Sequence, residues 1–213
     1  MPISPYQQEQ LEANILAAAH LDTLAPERIG ALKTATHEYR IFRNDVDAFL
    51  GTYFASTCTE KCFQSSLSAC CSREGIITFF ADIVINALFS TSDERNILLT
   101  ALQKPNDGPK CIYLGPQGCL WRIKPVVCQM FLCDAAMHRI FSDTPSAESA
   151  WHVLKNREKL FTWPDKKVLF DDLEAFFINA GHSSSLMYLH NSPGLLLVKK
   201  RAGLQPLMNP CQP

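Results

Sequence analysis

Eight of the nine cysteines in this 213-residue chain fall within two windows. The first is Cys58-x3-Cys62-x7-Cys70-Cys71, and the second is Cys111-x7-Cys119-x8-Cys128-x4-Cys133. A chain of this length with 47% apolar residues can bury a core without covalent help. Nine cysteines are therefore too many for packing filler and too few for a disulfide scaffold of this size. Both windows are rich in turns, where backbone can aim several thiolates at one centre. Each holds about the four sulfurs that tetrahedral zinc or a cubane iron–sulfur cluster takes. The competing reading, small buried hydrophobes, suits cysteines scattered on helical faces rather than concentrated in loops.

Charge and composition exclude several classes. Twenty basic against 21 acidic residues give a formal charge of -1, so the chain lacks the cationic surplus that displaces counterions from nucleic acid. A charged fraction of 19% beside so much apolar material excludes wholesale disorder. The opening stretch, Met1 to Gln10, has no basic segment followed by an apolar one and does not read as a secretory signal. The greasiest stretch, Ile76 to Phe89, is interrupted by Asp82 and Asn86 and is too short to cross a bilayer. No membrane association and a cytoplasmic location are expected. Thiols stay reduced there, which favours metal or redox roles over disulfides.

Periodicity predicts a mainly α, single-domain chain over 1–213, with N-terminal helices in 1–50, a cysteine core in 58–133, a C-terminal helical part in 145–200 and a flexible tail over 205–213. Leu11, Ile15, Leu16 and Ala19 define the inner face of a first helix. A second starts at Pro26 and continues through Leu32, Ala35, Tyr39, Phe42, Val46, Phe49 and Leu50 to Gly51. From Cys58 to Arg73 periodicity vanishes, predicting an ordered loop that needs other support. Metal binding would supply it, because site formation is tied to folding. Gly75 to Phe89 resumes as a buried helix, or a strand entering one. Ser92-Asp93-Glu94 caps a short helix ending before Pro105. Gly115-Pro116-Gln117-Gly118 predicts a small hairpin. Pro125 opens a helix through Phe141; helices follow around Glu148–Phe161 and Lys167–Ala180, with Gly181 as a stop. Gly194 to Lys200 reads as a short strand.

Local charge points the same way as the spacing. Between Gly108 and Cys133 stand Lys110, Arg122 and Lys124 with no acidic residue, so cations there are expected to favour thiolates and offset cluster charge. Cys128, in the first turn of the helix expected after Pro125, would face exposed amides. Trp121 is expected to shield the site from water, since its ring cannot ligate. Adjacent side chains diverge in extended backbone, so Cys70 and Cys71 share one centre only from a turn or helix start. Cys211 lies in the Pro-containing tail and reads as a non-ligand.

These residues resemble the cysteine-cluster family named for its C-x-x-C-x-x-C-C motif and described as a zinc- or iron-chelating domain. The features shared with it are Cys70-Cys71, Gly75-Ile76, Asp82, Cys111 and the run from Cys119 through Trp121, Lys124-Pro125 and Cys128-Gln129 to Phe131 and Cys133. The likeness covers roughly 58–133, its second half being the more specific. In this chain the first group is stretched, with seven residues before Cys70 rather than two; Lys124 and Gln129 stand where arginine is commoner. Some larger relatives resemble flagellin lysine methylases described as carrying an iron–sulfur cluster, but only their cysteine region is matched here.

The expected ligands are Cys58, Cys62, Cys71, Cys111, Cys119, Cys128 and Cys133, with Cys70 as an eighth candidate. One four-ligand cluster would leave several as neighbouring or resolving thiols. An iron–sulfur cluster, [4Fe-4S] favoured, would serve electron transfer or redox sensing with a redox or protein partner that the sequence does not name. The regular C-x2-C-x2-C run of ferredoxins is absent. Structural zinc in an interaction module is the alternative, Cys58-x3-Cys62 having knuckle spacing. A component of a methyltransferase or oxidoreductase system is the third reading. No G-x-G-x-x-G, P-loop or H-E-x-x-H motif accompanies the cysteines, and no catalytic residue is assigned.

Overall fold

The structure, a computed structural model, describes residues 2–73 and 77–205. Ser4 accepts the Gln7 amide while the Gln7 side chain returns the bond, a capping box that starts α1 (Pro5–Asp22) with Pro5 in its first turn. The face of α1 that enters the core is centred away from the expected one, although Leu11 and Leu16 pack against the core's edge as expected. Gln7, Gln10, Ala13, Asn14, Ala17 and Leu21 are buried, whereas Ile15 is half exposed. Most of the amide atoms have partners that make their burial tolerable, Gln10 Nε2 being an exception among the described residues. Gln7 Nε2 donates to the Leu102 and Lys104 carbonyls at 3.0 and 2.7 Å, and Gln10 Oε1 accepts the Tyr113 hydroxyl at 3.1 Å.

The single helix expected from Pro26 is two, α2 (Pro26–Ala35) and α3 (His37–Tyr53). The Thr36 hydroxyl turns back onto the Lys33 carbonyl at 2.8 Å, competing with the helical ladder and breaking it. Tyr39, Phe42, Val46 and Phe49 line the inner face of α3 as the periodicity requires, but Arg43 is buried with them. A π-helix, Ala55–Phe63, continues α3 and replaces the first part of the expected loop.

The helix α4 (Phe80–Phe89) is buried on nearly every side, which suits a helix that is apolar all round. It packs against α1 and against α9 (Leu169–Asn179). The helix α5 (Ser92–Leu102) is capped by Thr91, one residue earlier than expected, in a box with Glu94. The hairpin pairs β1 (Leu114–Gly115) with β2 (Gly118–Cys119), antiparallel, Leu114 opposite Cys119. Gly118 sits at φ +111, which a side chain rarely adopts.

The helix expected from Pro125 to Phe141 is also interrupted: α6 (Val126–Gln129) is one turn, and α7 (Asp134–Asp143) begins after Cys133. The helices α8 (Pro145–Thr162), α10 (Tyr188–Asn191) and α11 (Pro193–Arg201) complete the body. Gly181, at φ +83, ends the turn after α9 as anticipated. The strand expected at Gly194–Lys200 is instead α11. Pro193 opens that helix, and Lys199 is buried against Asp171. The architecture is mainly α-helical, with one small hairpin. Buried apolar residues from Ala13 to Leu189 form one contiguous core. No helix among the described residues is long and apolar enough to cross a membrane. Gly75, Ile76, Cys211 and the tail from 206 lie outside the described residues.

Candidate metal centre

The two cysteine windows are stitched together through their backbones. The Cys111 amide donates to the Cys71 carbonyl at 3.0 Å, the Arg73 amide to Pro109 at 2.9 Å, and Ser72 forms an isolated antiparallel bridge with Lys110. The Lys110 ammonium reaches the Leu67 carbonyl and that of Ser68, the latter at 3.3 Å. This segment needs such fastening because Ser66 and Ser68 both have positive φ, 63° and 39°, conformations that cost non-glycine residues energy. Upstream, Cys58 and Cys62 ride on the π-helix, a rare form that often marks functional positions.

The second window hangs on a polar strut. In α4, Asp82 and Asn86 stand one turn apart on an otherwise apolar helix. Asp82 Oδ1 accepts the Val126 amide and Asn86 Oδ1 the Ile123 amide, both at 3.0 Å. From α3, Arg43 donates to the Lys124 carbonyl at 2.6 Å, to the Tyr39 hydroxyl at 2.6 Å and to Gln129 Oε1; Gln129 in turn donates to Asp47. The backbone from Ile123 to Gln129, between Cys119 and Cys133, is thus held by buried partners on two helices. Sequence alone marks Asn86 only as an interruption and Asp82 as an interruption that also fits the family pattern, and it gives Arg43 no role. Two polar residues one turn apart in an apolar run are themselves a signal, since buried polar groups require partners.

All eight cysteines described are free thiols, half-buried or exposed. Their neighbours include one another. Burial, then Cys70, Cys133 and Cys62, push the Cys58 thiol up to about 11. Burial, then Cys119 and Cys128, act against the Tyr113 amide to push Cys111 up to about 12. Burial, Cys119, Asp82 and Cys70 push Cys128 up to about 12. Burial raises Cys119, while the Trp121 amide and Lys124 oppose it. The Cys70 thiol donates a hydrogen bond to the Cys71 sulfur, which raises Cys70 and lowers Cys71 despite burial and the nearby Cys111, Cys119 and Cys128. The turn ending at Cys70 is what lets two adjacent side chains meet.

Two expectations about this environment are corrected. Cations were expected to make the second window favour thiolates, yet Cys111, Cys119 and Cys128 are shifted the other way, because desolvation outweighs them. Among these cations Lys110 is spent on carbonyls, Arg122 faces Glu94, and only Lys124 acts on the thiols of Cys119 and Cys70. The one-turn α6 also lacks the length to give Cys128 a helix-terminus field.

Several sulfurs accept backbone amides: Cys62 from Ala69 and Cys111 from Tyr113, each at 3.4 Å, and Cys119 from Trp121. Trp121 is buried edge-on against Tyr113, with ring centroids 5.4 Å apart, beside Cys119. Among the described residues, no three histidine, cysteine, aspartate or glutamate side chains form a group arranged to hold a metal ion. The thiols are gathered but not in a ligand arrangement. No family model, curated protein or solved structure matches this chain.

Proposed function

We propose that this chain is a metal-binding cysteine-cluster protein, holding an iron–sulfur cluster, [4Fe-4S] favoured, for electron transfer or redox sensing. The observation that carries the reading is the meeting of two distant cysteine windows without a disulfide. Their backbones are pinned by the Cys71–Cys111 hydrogen bond, and their thiols lie near enough to shift one another. Packing alone gives no reason to collect half-exposed thiols at one place. Amides pointing at sulfur add support, since such bonds stabilise ligating thiolates and tune cluster potential.

Cys58, Cys62, Cys71, Cys111, Cys119, Cys128 and Cys133 would supply the ligands, with Cys70 as reserve or as the proton donor to Cys71. Raised thiols release protons when a metal replaces them, so loading would be strongly pH-dependent. A bound cluster would supply one-electron chemistry. The chain's own part is to orient the sulfurs, and Trp121 and Tyr113 exclude water beside Cys119. Zinc in an interaction module is the second reading, favoured by the four-residue step between Cys58 and Cys62.

Purification without oxygen, followed by iron, zinc and acid-labile sulfide determination, separates the readings. Iron with sulfide and broad visible absorbance is the expected result; a colourless zinc protein selects the alternative, and metal-free protein after reconstitution overturns both. Cys119→Ser and Cys128→Ser should each lower metal content and melting temperature together, while Cys211→Ser should change neither. Equal metal content in all three would overturn the ligand assignment.

A further inference from the structure

A cavity of about 280 Å³ lies between α3 and the segment from Arg122 to Gln129, lined by Arg40, Arg43, Arg122 and Lys124 against the single carboxylate of Asp47. Four cations and one anion give it a formal charge of +3, in a chain whose total is -1. The excess is poorly neutralised. Asp47 is occupied by Gln129, and among the described residues Arg122 has only Glu94 at 3.5 Å, with its own side chain 62% exposed. Arg40 lies over the Phe89 ring, its guanidinium carbon 4.3 Å from the centroid. Among the described residues, neither Arg40 nor Lys124 has an ion-pair partner.

The fourth cation is built into the wall. Arg43 is 5% exposed and spends three N–H groups on Tyr39, Gln129 and the Lys124 carbonyl. A guanidinium has five N–H groups, so two remain. Asp82 and Glu158 act on Arg43 electrostatically, but neither lines the cavity. Because the Arg43 and Asn86 bonds hold Lys124 and Ile123 in place, the cations are brought together before any ligand arrives, and an anion would relieve their repulsion.

We propose that this cavity is a binding site for a small polyvalent phosphate. Planar guanidinium groups match phosphate oxygens in paired hydrogen bonds, and lysine adds a point charge. The volume falls just below the usual range of small-molecule sites, which suits a phosphate or diphosphate group better than a whole cofactor. The site stands on its own geometry and does not depend on what the cysteines bind. It borders them through Lys124, which acts on the Cys70 and Cys119 thiols.

The test is calorimetric titration of the full chain with inorganic pyrophosphate at constant ionic strength, with ADP in a parallel arm. Saturable one-to-one binding is expected, weakened at least about tenfold by combined Arg40→Ala and Lys124→Ala, or ~1.4 kcal/mol. Lys200→Ala, outside the cavity, should leave affinity unchanged. Tighter binding of ADP assigns the phosphate to a nucleotide, and equal binding assigns it to a free phosphate. Should the double variant fail to fold, Arg122→Glu at its exposed side chain carries the same expectation. Absence of saturable binding, or affinity unaltered in the folded variants, overturns the proposal.

Discussion

Neighbouring cysteines need not act alike. Cys70 keeps its proton and gives a hydrogen bond; Cys71 receives it and is the more readily ionised of the two. The same contest between burial and a hydrogen-bond partner governs Glu174. Burial pushes its carboxyl up to about 7, although His190 Nδ1 lies 2.9 Å from Oε2 and Leu189 donates its amide. A carboxyl held above its ordinary 4.5 binds a proton in the folded chain that the unfolded chain has already released. Its contribution to stability is therefore full below about 4.5 and lost as pH rises through about 7. Glu174→Gln should flatten that decline, read as the unfolding free energy in urea across the window; an unchanged slope would contradict the assignment. The partners that permit this carboxyl to be buried are sixteen residues away at His190 and are not visible in local pattern.

Helix boundaries show where periodicity suffices and where it does not. The rhythm of Tyr39, Phe42, Val46 and Phe49 identified the inner face of α3, and the Gly115–Gly118 spacing identified the hairpin. It was only partly right at α1, where amides take the centre of the buried face and leave Ile15 half exposed while Leu11 and Leu16 pack at its edge, and it failed at Thr36 and Met130, where helices stop without glycine or proline. The strut between α4 and the second cysteine window makes a measurable claim. Asn86→Ala strands the Ile123 amide and should cost about 1–3 kcal/mol, together with faster alkylation of Cys119 and Cys128. Loss of stability without faster alkylation would mean that the strut does not restrain the thiols. Gly118→Ala, forced to φ +111, should cost about 1–3 kcal/mol by melting temperature.

Across the whole molecule, the cysteines are where distant parts of the chain meet. Cys58 from the π-helix feels Cys133 at the start of α7, and Cys70 feels Cys128's window through Lys124 and directly. Short-span bismaleimide cross-linking of metal-free protein, followed by peptide mass spectrometry, should join the first window to the second. Links confined within each window would refute the convergence. Composition and spacing alone established a mainly helical chain with a small hairpin and two cysteine windows, because apolar periodicity and turn chemistry are local properties; that Cys58 and Cys62 ride on a π-helix was not legible there. That the windows meet, that Arg43 and Asp82 are buried to hold one of them, and that four cations share a cavity were decided only in three dimensions. Those facts depend on hydrogen-bond partners tens of residues apart, and a buried polar group is tolerated or not according to a partner that local sequence does not contain.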